Sequence, residues 1–251
     1  MSEPARQELK GKTAVVTGAA GPMGFEAARA LAQAGCCVAL VDLAGERLER
    51  AANGVTGSVA FAADLTSIGG IPALVERIES HMGSVAILVN NAGVLSNAKS
   101  QATDESEWRR VFAINLDAAF FLARAVVPAM KRLAWGRIIN TTSLAAKTGG
   151  LTAGTAYAVS KGALSAMTFS LARELAADGV TVNGIAPAYV RTPMVTEELT
   201  EAQRQALLAM IPVGRFCEPE EFAHVVRFLA SPLAGFITGE IIDVNGGLLM
   251  D

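Results

Sequence analysis

The stretch KTAVVTGAAGPMGFEAARALAQAG, residues 12–35, decides the fold. Residues 12–17 form an apolar run that predicts a strand, and residues 24–35 have the pattern of a helix that ends on a C-cap glycine. The turn between them, TGAAGPMG at residues 17–24, is rich in glycine. Glycine lets the backbone approach a pyrophosphate, and the N–H groups and dipole of a helix N-terminus bind it. Glycine turns are common, but the position of this one between strand and helix favours a nucleotide site.

Short apolar runs alternate with helical patterns along the rest of the chain. Further strands are predicted at residues 37–41, 59–62, 85–89, 137–141, 181–186 and 241–244. Further helices are predicted at residues 46–52, 71–82, 105–133 with a kink near Pro128, 156–177, 197–210 and 220–229. Uniformly apolar strands are typical of a parallel sheet covered on both faces. The sequence therefore predicts an α/β fold: a single Rossmann domain over residues 1–251, with a doubly wound seven-stranded parallel sheet and helices on both faces.

Composition and charge narrow the class of function. The net charge is −3 without a basic stripe, so we expect no nucleic-acid partner. The mean hydropathy is +0.38, but charges interrupt every apolar run before the roughly 18 residues of a membrane span, so we expect no membrane partner. Residues 1–12 contain charges and no apolar core, which argues against a secretory signal.

The cysteines and histidines favour a cytoplasmic protein without a metal. Cys36, Cys37 and Cys217 are odd in number, which is typical of free thiols in a reducing compartment. His81 and His224 have no cysteine or histidine partner at the spacing of a metal site. We therefore expect a cytoplasmic localisation and no metal site.

Asp42 ends the second predicted strand, about 20 residues beyond the glycine turn. A carboxylate there can accept hydrogen bonds from the ribose hydroxyls of a dinucleotide and would repel a 2′-phosphate. The next cationic residue is Arg47. This pattern favours NAD over NADP as the cofactor. The ordinary alternative is a strand-end aspartate that caps the following turn.

Tyr157 and Lys161 are four residues apart on a predicted helix, so they share one helical face. A tyrosine has a pKa of about 10, and a nearby ammonium group lowers it. Such a tyrosine can exchange a proton with an alcohol or a ketone. Ser143 ends the fifth predicted strand and places a hydroxyl group where it can bind the substrate oxygen.

The ordered set of these motifs resembles the short-chain dehydrogenase/reductase family over about residues 10–250. Besides the glycine turn and Tyr157-x-x-x-Lys161, it includes NNAG at residues 90–93, Asn115, PAYVRTPM at residues 187–194 and NGG at residues 245–247. The resemblance implies that Asn115, Ser143, Tyr157 and Lys161 are catalytic, with Asn115 holding a water that connects Lys161 to solvent. It implies cofactor contacts from Gly18, Pro22, Met23, Gly24, Asp42, Leu43, Asp64, Leu65, Asn91, Ala92, Gly93, Thr141, Tyr157, Lys161, Pro187, Val190 and Thr192.

Two residues depart from the pattern of the family. Pro22 replaces the second glycine of the turn; proline suits the first turn of a helix but removes an N–H group near the phosphates. Ala188 replaces the glycine that usually follows proline after the sixth strand. If that position requires a positive φ, the alanine is strained.

The sequence predicts an NAD-dependent oxidoreductase that interconverts a secondary alcohol and a ketone by hydride transfer. A dehydrogenase of a sugar, polyol or hydroxy acid is one form of this hypothesis. The alternative is an NADPH-preferring reductase of 3-oxoacyl thioesters on acyl carrier protein, and a non-catalytic nucleotide sensor or scaffold represents another class. The apolar helices around residues 117–130 and 162–177 resemble a dimer-forming pair of the family, which implies a homotetramer.

The substrate pocket is predicted from loops that follow the strands. Its walls are expected from residues 95–96, 145–155 and 188–189 and from a lid over residues 194–211, which includes Leu199 and Leu207. The apolar lid residues could equally be plain packing. Lys147 is the one cation near the catalytic loop. A solvated surface lysine is the favoured interpretation, and an anchor for a carboxylate or phosphate group of the substrate is the other hypothesis.

Overall fold

A computed structural model describes residues 8–197 and 200–250. Its seven strands form one parallel sheet in the order β3-β2-β1-β4-β5-β6-β7, which confirms the predicted fold class. The strands are β1 Thr13–Thr17, β2 Cys37–Asp42, β3 Ser58–Ala62, β4 Val85–Asn90, β5 Gly136–Thr141, β6 Val180–Pro187 and β7 Ile241–Val244. The order reverses between β1 and β4, so their carboxyl ends open a crevice of the kind in which such sheets bind ligands.

Helices cover both faces of this sheet. They are α1 Pro22–Gln33, α2 Glu46–Gly54, α3 Ile71–Met82, α4 Glu105–Phe112, α5 Ala118–Leu133, α6 Ala145–Thr148, α7 Thr155–Leu175, α8 Pro193–Thr196, α9 Glu201–Met210 and α10 Pro219–Ala230. Val16 of β1 packs with α1 and α10, whereas its neighbour Val15 packs with α3, α5 and α7. Because successive residues face opposite sides and both sides are buried, the strands are apolar throughout.

The predicted helix over residues 105–133 is irregular at a different place from the one expected. α4 and α5 are joined by a π-helical segment, Ala113–Asp117, and α5 runs through Pro128. A wider turn, which the sequence analysis did not predict, therefore surrounds Asn115, which is 1% exposed. π-helical turns inside α-helices are frequent at functional sites.

The long apolar helix also bears on the membrane expectation. Glu105–Leu133 is the one helix among the described residues that is long and apolar enough to cross a membrane, judged by length and composition only. Leu122, Val126 and Met130 on this helix are buried in the core beneath the sheet. These three residues therefore use part of its apolar surface in packing against the sheet.

The segment that follows β6 differs from the single helix predicted over residues 197–210. It contains α8 and α9, and a capping box starts α9: Thr200 Oγ1 accepts the N–H of Gln203, while the Gln203 side chain accepts the N–H of Thr200. Because Thr200 is the N-cap, α9 begins at Glu201, four residues later than the predicted helix. Leu199 of the predicted lid and residues 1–7, on which the signal-peptide expectation rests, lie outside the described residues.

Candidate active site

The glycine turn is built for close backbone contact. Gly18 has a φ of +63°, and a Cβ atom on Gly24 would lie 2.2 Å from the carbonyl oxygen of Gly18. Pro22 occupies the first turn of α1, where its missing N–H group leaves no hydrogen bond unmade. The N-cap residue is Gly21, and neither a side-chain cap nor an acidic residue occupies the first turn of α1. This uncapped helix N-terminus fits the diphosphate of a dinucleotide.

The predicted Asn91-Ala92-Gly93 motif fastens β4 to β1 at the crevice. Thr17 Oγ1 accepts hydrogen bonds from the N–H groups of Asn91 and Ala92, each at 3.0 Å. The Asn91 side-chain amide donates back to the carbonyl oxygens of Thr17, at 3.0 Å, and Gly18, at 3.3 Å. Thr17 was not singled out in the sequence, because a hydroxyl at a strand end carries no signal until its partner strand is known.

Asp42 and Asp64 lie at the open end of the crevice, at the ends of the neighbouring strands β2 and β3. The Asp42 carboxylate accepts the N–H groups of Ala20, at 2.9 Å, and Leu43, at 2.8 Å, so it also caps the glycine turn. Hydrogen bonds from Thr66 lower the pKa of Asp64 below its usual value.

The two predicted leucine contacts at this end are placed differently. Leu43 is 62% exposed, whereas Leu65 is 8% exposed and packs into the core. The side chain of Leu65 is therefore buried, although the sequence pattern predicted a cofactor contact from both leucines.

A cavity of about 790 Å³ extends from the crevice over the carboxyl ends of β4, β5 and β6. It is lined by nine predicted cofactor residues, Met23, Asn91, Gly93, Thr141, Tyr157, Lys161, Pro187, Val190 and Thr192. Its remaining walls include Leu95, Asn97, Leu151, Thr152, Tyr189, Val195, Gln203, Ala206 and Leu207. Gly18, Pro22, Gly24, Asp42, Leu43, Asp64, Leu65 and Ala92 lie outside the lining of this cavity. Four residues of the predicted lid, Val195, Gln203, Ala206 and Leu207, therefore line this cavity.

Ser143, Tyr157 and Lys161 converge on one wall of the cavity. The Ser143 hydroxyl hydrogen-bonds the Tyr157 hydroxyl and also accepts the N–H group of Ala145 at 3.1 Å. Lys161 Nζ lies 5.8 Å from the centre of the Tyr157 ring and donates to the carbonyl oxygen of Thr141 at 2.7 Å. The three side chains thus form a connected set around the carboxyl end of β5.

The pKa of Tyr157 differs from the sequence expectation. Burial raises the pKa of Tyr157 above its usual value, and the hydrogen bond from Ser143 offsets only part of this shift. Burial also lowers the pKa of Lys161 to about 8. The sequence pattern predicted a lowered tyrosine pKa because it gave the spacing of the lysine but not the desolvation of the site. In the protein alone, burial therefore favours the protonated form of Tyr157.

Asn115 lies behind this wall in the π-helical segment. Its Oδ1 accepts the N–H group of Val94 at 2.8 Å, and its Nδ2 donates to the Val94 carbonyl at 3.1 Å and to Ser160 Oγ at 3.1 Å. A Cβ atom on Gly93 would lie 3.2 Å from Asn115 Oδ1 and 3.3 Å from Lys161 Nζ. The absent side chain at Gly93 therefore leaves the space between Asn115 and Lys161 open.

A buried amide chain ties α7 to the sheet below the site. Asn90 Nδ2 donates to Asn140 Oδ1 at 2.9 Å, and Asn140 Nδ2 donates to Thr168 Oγ1 at 2.9 Å. Thr168 is on the helix that carries Tyr157 and Lys161. These hydrogen bonds, which the sequence analysis did not predict, fix the position of α7 relative to β4 and β5.

The structure gives the surroundings of two residues that the sequence analysis singled out. Lys147 does not line the cavity; its ammonium group donates to Asp243 Oδ2 at 2.6 Å. Ala188 is not strained, because Ala134 is the one non-glycine residue with a positive φ in the described part of the chain. Neither the pairing of Lys147 nor the backbone angle at residue 188 could be read from neighbouring residues.

The polar groups of the cavity fit a nicotinamide dinucleotide. Thr141 Oγ1 is buried and makes no hydrogen bond to the described residues. It lines the cavity beside Lys161, between the uncapped start of α1 and the wall that holds Tyr157. No group of three or more histidine, cysteine, aspartate or glutamate side chains that could hold a metal ion occurs in residues 8–197 and 200–250.

Comparison with known proteins identifies the family. A family model described as "Enoyl-(Acyl carrier protein) reductase" matches residues 18–249. The chain belongs to the short-chain dehydrogenase/reductase family. It is 40% identical over 248 residues to the 3-oxoacyl-[acyl-carrier-protein] reductase FabG of Pseudomonas aeruginosa, covering 96% of this chain and 99% of that relative. The corresponding protein of Thermotoga maritima is 37% identical over 246 residues, covering 96% and 99%. Nodulation protein G of Azospirillum brasilense is 39% identical over 243 residues, covering 94% and 98%.

These relatives correct the first functional prediction. The sequence analysis put an NAD-dependent secondary alcohol dehydrogenase, such as a sugar or polyol dehydrogenase, ahead of a 3-oxoacyl-thioester reductase. Several full-length relatives of this short-chain dehydrogenase/reductase are 3-oxoacyl-[acyl-carrier-protein] reductases, so that order is wrong. The physical reason is that both activities need the same serine, tyrosine and lysine, and the substrate is selected by cavity walls that carry no short motif.

Proposed function

We propose that this protein reduces the ketone of a 3-oxoacyl thioester, carried on acyl carrier protein, to the corresponding 3-hydroxyacyl thioester. The observation that carries the proposal is the convergence of Ser143, Tyr157 and Lys161 on one cavity in a chain whose full-length relatives are named as such reductases. A bound reduced nicotinamide supplies the hydride that the carbonyl carbon accepts.

Tyr157 donates the proton that the carbonyl oxygen needs. The raised pKa of Tyr157 supports this direction, because a protonated phenol is the form that a reduction consumes. Ser143, within hydrogen-bond reach of Tyr157, orients the carbonyl oxygen and stabilises the charge that develops on it.

Lys161 and Asn115 support the proton donor. The ammonium group of Lys161 favours the phenolate left after proton transfer, and Lys161 also holds the nicotinamide ribose. Asn115 keeps the space beside Lys161 open for a water that returns the proton from solvent.

Reduced NAD is the proposed cofactor form. The carboxylate of Asp42 lies against the glycine turn, with an oxygen 2.9 Å from the Ala20 nitrogen, and would repel a 2′-phosphate on the adenosine ribose. Ala20 and Gly21 of the turn have no cationic side chain that could bind such a phosphate. The remaining dinucleotide contacts are proposed from the glycine turn, residues 91–93, Asp64 with the backbone of Leu65, and residues 187–192.

The cavity walls suit a thioester with an acyl chain. Leu95, Leu151, Val195 and Leu207 provide apolar surface for the chain, while Asn97, Thr152 and Gln203 provide polar groups at the wall. The part of α8 and α9 that lines the cavity would act as the substrate lid.

The experiment that tests the function is a spectrophotometric assay with acetoacetyl-CoA as a soluble 3-oxoacyl thioester. We expect NADH oxidation that depends on the thioester and disappears in Tyr157→Phe. Turnover of polyols or hydroxy acids with NAD but not of the thioester would contradict the proposal. Binding of NADH without turnover of any ketone would favour the sensor or scaffold alternative.

We also propose a homotetramer that works in the cytoplasm. Several large apolar side chains are exposed on the outer faces of the molecule, including Phe120 and Phe169 on one face and Leu233 and Phe236 elsewhere. Subunit contacts would remove this surface from water. Analytical ultracentrifugation should give four times the chain mass, and a monomer at micromolar concentration would contradict this assembly.

A further inference from the structure

Lys147 and Asp243 form a tertiary ion pair beside the proposed active site. Lys147 Nζ and Asp243 Oδ2 are 2.6 Å apart, although the residues are 96 positions apart in the chain. Their side chains are 26% and 18% exposed. The pair joins α6, which directly follows Ser143, to the edge strand β7 and therefore bridges over the end of β6.

The one-turn helix α6 determines where the Ser143 hydroxyl lies. Ser143 Oγ accepts the N–H group of Ala145, and the carbonyl oxygen of Ser143 accepts the N–H group of Ala146 at 3.0 Å. Leu144 donates its N–H group to the Pro187 carbonyl at 3.0 Å. A displacement of α6 would therefore move Ser143, at the end of β5, relative to Tyr157 on α7, against which α6 packs.

Ala145 of α6 packs with Ala158 of α7, and the ion pair adds a contact between α6 and β7. Helix α6 has only four residues, and a helix this short has little stability of its own. The second carboxylate oxygen of Asp243 is buried and makes no hydrogen bond to the described residues. A partly buried carboxylate in this state depends on its cation, so the ion pair holds both partners in place.

We propose that the Lys147–Asp243 ion pair is a positioning clamp that keeps Ser143 opposite Tyr157 and thereby sets kcat. The clamp rests on the proposed function, since it acts on the hydroxyl that orients the carbonyl oxygen. Neither residue touches substrate in this arrangement, because both charges are satisfied outside the cavity lining.

The test compares Lys147→Met, Asp243→Asn and Lys147→Arg with wild type, using acetoacetyl-CoA and NADH. Because small displacements of positioned groups lower rates strongly, we expect kcat to fall about 10-fold or more in Lys147→Met and Asp243→Asn. We expect the KM of the thioester and the Kd of NADH to stay within about threefold, and Lys147→Arg to keep most of kcat. The double exchange Lys147→Asp with Asp243→Lys should recover part of kcat.

Lys131→Met is the matched control. Lys131 pairs with Asp178 at 2.8 Å, also between a helix and a residue distant in sequence, but at the opposite end of the sheet. We expect this variant to leave kcat unchanged. A kcat loss in Lys131→Met equal to that in Lys147→Met would overturn the clamp, since loss of any such ion pair would then have the same effect.

Two further outcomes would overturn the clamp. If Lys147→Met raises the KM of the thioester while kcat is unchanged, Lys147 contacts the substrate instead. Hydrogen exchange gives a readout that does not depend on the substrate: the amides of Lys147, Thr148 and Gly149 should exchange faster in Lys147→Met. Unchanged exchange at these amides would refute the clamp, whereas inactivity of wild type on acetoacetyl-CoA with faster exchange would refute only the proposed substrate.

Discussion

The two halves of the crevice are built differently. At the end formed by β1, β2 and β3, the carboxylates of Asp42 and Asp64 bind backbone N–H groups near the surface. At the end formed by β4, β5 and β6, Asn115, Ser143 and Lys161 are buried. The first half is built from local turns and helix ends, and the second from buried side chains, among which Tyr157 and Lys161 have pKa values shifted by burial. Motifs therefore describe the first half well, but only the folded surroundings set the chemistry of the second.

The largest expected effect is in the buried half. Tyr157→Phe removes the proton donor, which should lower kcat with acetoacetyl-CoA by about 10²- to 10⁴-fold, the usual contribution of general acid catalysis. NADH binding, measured by fluorescence titration, should change by less than about threefold, because the dinucleotide is held mainly at the other half. Loss of NADH binding in this variant would show that the two halves are not separable.

The next prediction tests the burial of Lys161 through protein stability, separately from its proposed role in catalysis. Its pKa of about 8 in the folded protein lies below about 10.4 in the unfolded chain. The unfolded chain thus binds more protons between these values, so burial of Lys161 destabilises the protein below pH 8 and this penalty shrinks as the pH rises toward 10. Lys161→Met should reduce the stability gain between pH 7 and pH 10 by about 2–3 kcal/mol, measured by urea unfolding.

In Lys161→Met, activity and stability at pH 7 should respond differently. Activity should be lost in Lys161→Met, although its stability at pH 7 is equal to or above that of wild type, because loss of the hydrogen bond to Thr141 offsets part of the gain. A pH dependence of unfolding identical to that of wild type would mean that Lys161 is not desolvated as the structure has it.

In the exposed half, the substitution Asp42→Ala tests which nucleotide the protein prefers. We expect wild type to bind NADH at least about tenfold more tightly than NADPH, or about 1.4 kcal/mol, and the variant to lose this preference while kcat at saturating NADH is retained. Fluorescence titration with both nucleotides measures it. Tighter binding of NADPH by wild type would make Asp42 only a cap of the glycine turn.

The smallest expected effect is at a site outside both halves. Ala134 ends α5 with a φ of 47° and a ψ of 32°, a left-handed conformation that alanine adopts at a cost. Ala134→Gly should therefore raise the free energy of unfolding by about 0.5–1 kcal/mol without changing kcat or nucleotide binding. Urea unfolding measures the gain, and a decrease in stability would show that the surrounding contacts already relieve the strain.

The elements that sequence predicted well are those with strong local patterns. β7 and α3 begin and end at the predicted residues, and β1 and β5 differ by one residue. The π-helical segment around Asn115, the break before α9 and the short helix α6 were missed. Each of these depends on a side-chain contact or on a length too short to show periodicity.

The candidate site shows the same division. Ser143, Tyr157 and Lys161 could be found because their spacing relative to predicted strands and helices is distinctive. Lys147 could not be placed, since its partner Asp243 is on the last strand. The predicted downward shift of the Tyr157 pKa was wrong because spacing reports a neighbouring charge but not the loss of water around the group.

The sequence by itself determined the parallel sheet, the glycine turn and the residues available for proton transfer, because strand apolarity, turn glycines and helical spacing act over short stretches of chain. The tertiary structure alone decided that burial raises the pKa of Tyr157, that Lys147 pairs with Asp243 and that Thr17 hydrogen-bonds Asn91 and Ala92. These properties arise from burial and from pairs of residues on different strands and helices, and neither is defined until the chain has folded.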